Sequence, residues 1–215
     1  AERAYAQSAK PHKAGLVADG YVNEIVATPD VVYLAGEFTR LMPWVGAGVP
    51  VDNDDGAPQA EYPEVVGVVH TVLPDRAGGW FIGGEFTEVG GVGQAYLAHI
   101  TSEGALDADW NPVVSRAVRC LALLDGTLYV GGDFSTVDGQ DRGRLAAFNA
   151  ATGELKSWDP DASGEVFALA AYDDVVYVGG SFSTVGGKTR NNLAAVDAVT
   201  GALSHWDPNV NGAVA

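Results

Sequence analysis

The sequence predicts an all-β fold made of four tandem copies of one 48-residue unit. Aromatic residues at three positions recur at this interval, and short apolar runs end at glycine pairs or at Asp-Gly and Thr-Gly turns, which is typical of strands. The recurring aromatics are Phe38, Phe86, Phe134 and Phe182; Tyr33, Phe81, Tyr129 and Tyr177; and Trp110, Trp158 and Trp206. Chance does not keep three such landmarks in phase, so we expect four repeats.

The phase of these landmarks sets the boundaries of the copies. After an N-terminal lead at residues 1–21, a candidate closing strand, the copies are expected at 22–69, 70–117, 118–165 and 166–213. The first copy has diverged, because Tyr62 stands where the later copies have tryptophan. Terminal units of repeat proteins diverge in this way, since one of their faces meets a different neighbour.

The fourth copy shows the elements of one unit most clearly. It contains four short runs, rich in β-branched, aromatic or small apolar residues and separated by turn residues, and glycines interrupt any helical alternative. The expected strands are residues 166–172, 175–183, 193–198 and 202–206. Four short antiparallel strands joined by turns are the unit of a β-propeller blade. The sequence therefore predicts a β-propeller with four-stranded antiparallel blades and a 48-residue repeat.

The recurring tryptophans have two interpretations. Trp110, Trp158 and Trp206 would form platforms for sugars on one rim, or they would pack between blades. We favour packing, because a residue that every blade needs for one geometric reason recurs, whereas a ligand site uses residues that differ between blades. Candidate functional residues are therefore sought in the part of the chain that does not repeat, residues 42–61 and their flanks.

Trp44 and Tyr62 lie in and beside this non-repeating segment and are the candidate ligand-binding residues. Exposed aromatic side chains at these positions would make a contact patch for a protein or a glycan, because aromatic rings combine a large apolar area with a specific geometry. The alternative is that the two side chains cap the end blade.

Acidic residues in the same segment suggest a metal site. Asp52, Asp54 and Asp55 precede Gly56 and place carboxylate oxygens as at the start of a calcium loop. The bidentate acid that completes such a loop is missing, because Pro63 stands at its position. We favour an ordinary acidic turn, with calcium binding as the alternative.

Composition restricts the partners. The net charge is −16, with 12 Lys and Arg against 28 Asp and Glu, so the chain repels nucleic-acid phosphates and anionic lipid surfaces. No apolar run reaches the roughly 18 residues of a membrane span. The single cysteine, Cys120, excludes an internal disulfide and lies in an apolar run as a small core residue. The acidity is typical of proteins in a salty or extracellular setting.

The sequence lacks the common catalytic motifs. It contains no Gly-x-Ser-x-Gly elbow, no phosphate-binding loop and no His-x-x-x-His spacing for zinc. We therefore expect no enzyme, and no cofactor apart from the calcium alternative. Paired carboxylates on separate blades leave no motif, so a carbohydrate-active hydrolase or lyase with acids on its rim loops is the alternative function.

The fourth copy also resembles known propeller repeats. Residues 177–187 read Tyr-Val-Gly-Gly-Ser-Phe-Ser-Thr-Val-Gly-Gly, and residues 190–197 read Arg-Asn-Asn-Leu-Ala-Ala-Val-Asp. The pattern is similar to the kelch repeat and more closely resembles the bacterial delta-60 repeat, over residues 22–215 and most weakly in the first copy. The resemblance implies a propeller-like fold in secreted or cell-surface bacterial proteins, often beside adhesion-type domains, without general catalytic machinery.

These observations predict a non-catalytic, extracellular or cell-surface bacterial module for binding, adhesion or scaffolding, with a glycan or a surface protein as its ligand. A self-assembling structural repeat is the second alternative. Four blades either close on themselves or leave sheet edges and apolar faces open to association. We expect self-association, or chain beyond this sequence, to complete the ring.

Overall fold

The structure is a computed structural model that describes residues 20–28, 31–38, 48–52 and 62–215, with the backbone alone for residues 31 and 48–52. These residues form sixteen strands and no helix, so the all-β prediction is confirmed for the described part of the chain. Most of the predicted closing strand, residues 1–19, lies outside that part.

Twelve of the strands form four three-stranded antiparallel sheets, each with its second strand in the middle. Sheet one contains β1 (Tyr21–Ala27), β2 (Val31–Glu37) and β3 (Gly48–Asp52). Sheet two contains β4 (Val65–Pro74), β5 (Trp80–Val89) and β6 (Leu97–Ile100). Sheet three contains β7 (Val118–Leu124), β8 (Thr127–Gly132) and β11 (Leu145–Asn149). Sheet four contains β12 (Glu165–Tyr172), β13 (Val175–Ser181) and β16 (Leu193–Asp197). Two small hairpins remain, β9 (Thr136–Val137) with β10 (Gln140–Asp141), and β14 (Thr184–Val185) with β15 (Lys188–Thr189).

The fourth strand predicted for each blade is not confirmed. In sheets two, three and four the chain makes a single bridge to the third strand where this fourth strand is expected, at Leu106, Leu155 and Leu203. In sheet three the amide of Lys156 also donates to the Ala147 carbonyl at 2.8 Å. The chain then leaves the edge of sheet three, and the following Trp158 packs against sheet four.

Three apolar cores hold the sheets together, and each core lies between two successive sheets. The first strands β1, β4, β7 and β12 lie side by side in that order. The cores include Tyr33, Val69, Trp80 and Phe86 between sheets one and two; Phe81, Trp110, Val130 and Phe134 between sheets two and three; and Tyr129, Trp158, Val178 and Phe182 between sheets three and four. All three aromatic sets therefore contribute to packing between sheets.

A glycine in the second strand of sheets two, three and four allows a valine of the following segment to approach. A Cβ added to Gly131 would lie 2.6 Å from Cγ1 of Val166, which no real contact tolerates. Gly83 has the same relation to Val118, and Gly179 has it to Val214, at 2.8 Å. We call these contacts the valine seats. In each seat the valine side chain lies so close to the glycine backbone that there is no room for a Cβ at that position.

Each first strand also carries a β-bulge. The register shifts leave Asn23, His70, Arg119 and Phe167 unpaired in β1, β4, β7 and β12. A bulge inserts one residue into a strand and changes the direction of its side chain, often beside a functional site. The bulges of sheets two and three place two basic side chains beside acidic side chains at the ends of neighbouring strands.

Candidate functional site

His70, Glu85, Arg119 and Asp133 form a network that joins sheets two and three, which we call the charged cluster. His70 and Arg119 are the bulge residues of β4 and β7. Glu85 lies in β5, and Asp133 directly follows β8. Because Glu85 and Asp133 each follow a glycine pair in the second strand, their carboxylates lie at equivalent places in adjacent sheets.

Arg119 is the centre of the charged cluster. Its Nη2 lies 2.7 Å from Asp133 Oδ2 and 3.1 Å from Glu85 Oε1, while its Nε donates to both Asp133 oxygens at 3.2 Å. The hydrogen bond to Asp133 raises the pKa of Arg119 against the opposing effect of partial burial. A forked pair of this kind fixes the guanidinium plane and leaves part of its edge open to solvent.

His70 adds two alternative hydrogen bonds to the charged cluster. Its Nε2 lies 3.2 Å from Glu85 Oε1 and 3.3 Å from Arg119 Nη1. One ring nitrogen cannot both donate to the carboxylate and accept from the guanidinium, so the two contacts belong to different protonation forms of the ring. Without a proton on Nε2 His70 accepts from Arg119, and with a proton on Nε2 it donates to Glu85.

A cleft of about 380 Å³ opens beside the charged cluster. Its lining includes Glu85, Asp133, Tyr96 and Arg116. Arg116 is exposed and has no hydrogen-bond or ion-pair partner within the described ranges, so its guanidinium is available to a ligand. The cleft thus offers a free cation, two carboxylates and an aromatic ring, which suits a polar ligand with several hydroxyl or amide groups.

A second polar group lies on sheet two, where His99 is held between two carboxylates. Nδ1 of His99 is 2.9 Å from Asp107 Oδ2, and Nε2 is 3.0 Å from Asp75 Oδ2. The other oxygen of Asp75 accepts from the amides of Ala77 and Gly79 and fixes the β4–β5 turn. Because both ring nitrogens are occupied, His99 holds the turn and the edge of sheet two together and leaves no lone pair for a substrate.

Of the two candidate ligand-binding aromatics, the structure describes one. Tyr62 is partly buried and stacks on Trp80, with ring centroids 5.4 Å apart and planes 4° apart. Trp80 Nε1 donates to its hydroxyl at 3.4 Å, and burial raises the pKa of Tyr62. Trp44 lies outside the described residues, so the predicted patch is not seen as a whole.

The candidate calcium ligands lie almost wholly outside the described part of the chain. Asp52 is the last residue of β3, whose side chains are not described, and Asp54 and Asp55 fall in the gap that follows. Among the described residues, no group of three or more His, Cys, Asp or Glu side chains is placed to hold a metal ion. Calcium binding by the acidic segment remains a prediction.

The packing interpretation of the tryptophans is confirmed for two of them. Trp110 and Trp158 are buried, and their indole Nε1 atoms donate to the carbonyls of Ala150 and Asp197 in the next copy, at 3.0 and 2.9 Å. Trp206 is different, because 44% of its surface is exposed. The recurrence of tryptophan thus predicts on which face of its sheet the side chain lies. It does not predict whether that side chain is buried.

Sequence reasoning missed the charged cluster. His70 and Arg119 are separated by 49 residues, one more than the repeat, so their alignment at the bulges is invisible in the spacing. A signal did exist, since an acid follows the glycine-containing strand end as Glu37, Glu85 and Asp133 but becomes Ser181 in the fourth copy. A polar position that changes between copies is where ligand-specific chemistry is expected.

Comparison with known proteins supports the class of fold. The family model described as "Domain of unknown function (DUF5122) beta-propeller" matches residues 78–109, 123–155 and 173–194, which include the second strands of sheets two, three and four. A crystal structure of a computationally designed protein, Ika8, is similar to the chain at 15% identity and a TM-score of 0.49. That match covers 86% of this chain and 62% of the designed one. No curated protein matches the sequence.

The all-β sheets and the family match together support a protein of the β-propeller class. The finer resemblance to delta-60 and kelch repeats remains a prediction. Within the described ranges there is no helix with the length and apolar character to span a membrane.

Proposed function

We propose that the chain is a non-catalytic β-propeller module that binds a polar ligand, a glycan or a surface protein, outside a bacterial cell. The observation that carries the proposal is that the residues used for packing and the residues available to a ligand are different sets. The recurring aromatics and glycines are used in packing between sheets, whereas the polar residues that differ between copies gather in the charged cluster and its cleft.

Backbone geometry supports a blade of 48 residues. Tyr96, Arg144 and Asn192 occur at this interval and all have positive φ angles, of 66°, 61° and 62°. Non-glycine residues rarely adopt this conformation, so its return at one interval favours a structural unit of that length. In this proposal the single bridge beside the third strand of sheets two, three and four is the remnant of a fourth blade strand.

The charged cluster suits binding better than hydrolysis. A glycosidase needs two carboxyl groups that face each other across a gap that admits a sugar or a water molecule. Here the guanidinium of Arg119 lies between Glu85 and Asp133 and contacts both. The open edge of Arg119, the free Arg116 and the carboxylates instead offer donors and acceptors to a ligand with hydroxyl groups.

The proposal includes completion of the ring by self-association or by further chain. It is supported by Ile25 and Trp206, which are exposed apolar side chains of sheets one and four. Their equivalents in sheets two and three, Val72 and Trp158, are buried. Calcium is not required for this function, although the acidic segment keeps it as an alternative. The extracellular bacterial location is supported by the acidity of the chain and by its resemblance to repeats of such proteins.

The test measures binding and turnover in parallel on one polysaccharide array. Arg119→Ala should abolish binding by the folded chain, because it removes the centre of the charged cluster. Arg76→Ala is the matched control, since Arg76 is an exposed arginine that lines a different cleft. Hydrolysis of a polysaccharide that disappears in Glu85→Gln would overturn the proposal and favour the carbohydrate-active enzyme.

A further inference from the structure

We propose that the exposed face of sheet four binds sheet one of a second copy of this chain, head to tail. The inference rests on the proposed self-association and identifies its two surfaces. The first surface, which we call the end patch, consists of Tyr172, Tyr177 and Trp206. The second surface is the exposed side of β1, with Val22 and Ile25.

The end patch has the composition of a covered surface. Tyr129, the equivalent of Tyr177 in sheet three, is 3% exposed, and its hydroxyl donates to the Ala198 carbonyl of sheet four at 2.7 Å. Tyr177 is 37% exposed, and neither its hydroxyl nor the indole N–H of Trp206 has an acceptor among the described residues. The end patch therefore repeats the chemistry of an interface between sheets, with free donors at its edge.

Strand β1 has the composition of the complementary surface. Val22 lies two, three and four repeats of 48 residues before Val118, Val166 and Val214, the three valines that fill the valine seats. Ile25 is 65% exposed, which is unusual for a large apolar residue in the first strand of a sheet. Sheet one thus has the residues of a sheet that packs onto a preceding one, but the described chain provides no such sheet.

The valine seat over Gly179 shows which kind of side chain fits against the outer face of sheet four. Val214 fills this seat, and its amide donates to the Gly180 carbonyl at 3.2 Å. A strand that presents a valine in this register therefore fits the face. Val214 is only partly buried here, whereas Val166 is fully buried in the preceding seat. In a head-to-tail contact, Val22 of the second copy takes the place of Val214, and the rest of β1 approaches the end patch.

This contact is heterologous, because a different surface is used on each copy, so it generates either a closed ring or a filament. The net charge of −16 opposes association, and added salt should therefore strengthen it by screening. An isologous contact between two end patches would make a dimer only and would not involve β1.

Sedimentation velocity on three variants tests these surfaces. The wild-type chain should associate with rising concentration, and either Trp206→Glu or Ile25→Asp should make it monomeric at every concentration. Both side chains are exposed, so neither variant threatens folding. Val92→Asp, on another exposed apolar side chain, is the matched control and should associate as wild type.

Mixing the two monomeric variants gives the decisive result. Trp206→Glu keeps the β1 surface and Ile25→Asp keeps the end patch, so an equal mixture should form a dimer that grows no further. A wild-type chain that stays monomeric, or an Ile25→Asp variant that still associates, would overturn the inference. Polysaccharide binding that depends on Arg119 would survive either outcome, which separates this failure from failure of the proposed function.

Discussion

The boundary between sheets three and four and the outer face of sheet four are built from the same residue types with opposite results. Trp158 is 2% exposed and hydrogen-bonded at the boundary, whereas Trp206, at the equivalent place, is 44% exposed. Each repeat therefore has an apolar face suited to packing. That face stabilises the fold only where a neighbouring sheet covers it. The same substitution at equivalent positions in sheets three and four measures how much a neighbouring sheet contributes to the free energy of unfolding.

The largest difference is expected between the two tryptophans. Trp158→Ala should lower the free energy of unfolding by about 3–5 kcal/mol, because it leaves a cavity in the core between sheets three and four. Trp206→Ala should cost less than about 1 kcal/mol, since its side chain is largely solvated. Urea denaturation followed by circular dichroism measures both values. Equal losses at the two positions would mean that the outer face is covered in solution.

The valine seats should show a smaller difference. Gly131→Ala places a methyl group 2.6 Å from Val166 and should cost about 1–3 kcal/mol, because Val166 is fully buried and cannot move. Gly179→Ala should cost clearly less, since the partly exposed Val214 can shift toward solvent. Thermal unfolding of the two variants gives the comparison. A larger loss for Gly179→Ala would show that the seat over Gly179 is tightly closed.

Removal of one hydroxyl sharpens the same comparison. Tyr129→Phe should destabilise the fold by about 1 kcal/mol, because the Ala198 carbonyl loses its 2.7 Å donor. Tyr177→Phe should have no measurable effect as long as its hydroxyl is exposed to water. Urea midpoints at constant denaturant slope provide the test. A cost for Tyr177→Phe that grows with protein concentration would indicate that a second copy binds at the end patch.

The boundary between sheets one and two adds a dependence on pH. Glu24 Oε2 accepts from the Val72 amide at 2.6 Å, and burial raises the pKa of this carboxyl more than its hydrogen bonds lower it. The folded state therefore binds the proton more tightly than the unfolded state, so this contribution to stability falls as the pH rises through the folded pKa. Glu24→Gln keeps an oxygen for Val72 without the charge.

Glu24→Gln should consequently be more stable than wild type by a few tenths of a kcal/mol at about pH 7, and the difference should vanish toward about pH 4. Melting temperatures of the two proteins across this range isolate the effect from the general relief of charge repulsion, which both proteins share. A difference that stays constant with pH would exclude Glu24 as its source.

The repeated strands could be predicted from the sequence because buried aromatic residues recur every 48 residues. The strands expected at residues 166–172 and 175–183 correspond to β12 and β13, and the packing of Trp110 and Trp158 follows from their recurrence. The fourth strand of each blade could not be predicted in this way. A short apolar run beside a tryptophan has the same sequence pattern whether it pairs over several residues or makes a single bridge. How far the pairing extends depends on contacts with the neighbouring chain, which are not a property of the local sequence.

The charged cluster escapes prediction for a related reason. A bulge shifts the register by one residue, so His70 and Arg119 meet although they are out of phase with the repeat. Strand patterns give no warning of the bulge, since its cause is the fit between neighbouring strands. Of the candidate ligand-binding and calcium-binding residues, only Tyr62 has a described side chain, and that side chain packs on Trp80.

The three separate cores also govern how the molecule opens. Because each core joins only successive sheets, stability is a sum of local terms, as in a one-dimensional chain of coupled units. Backbone amides in β5 and β8, which belong to the two sheets with a core on both sides, should exchange with deuterium more slowly than those of β1. Local opening should then begin at the outer edge of sheet one, below the free energy of the global transition in which the inner sheets are lost.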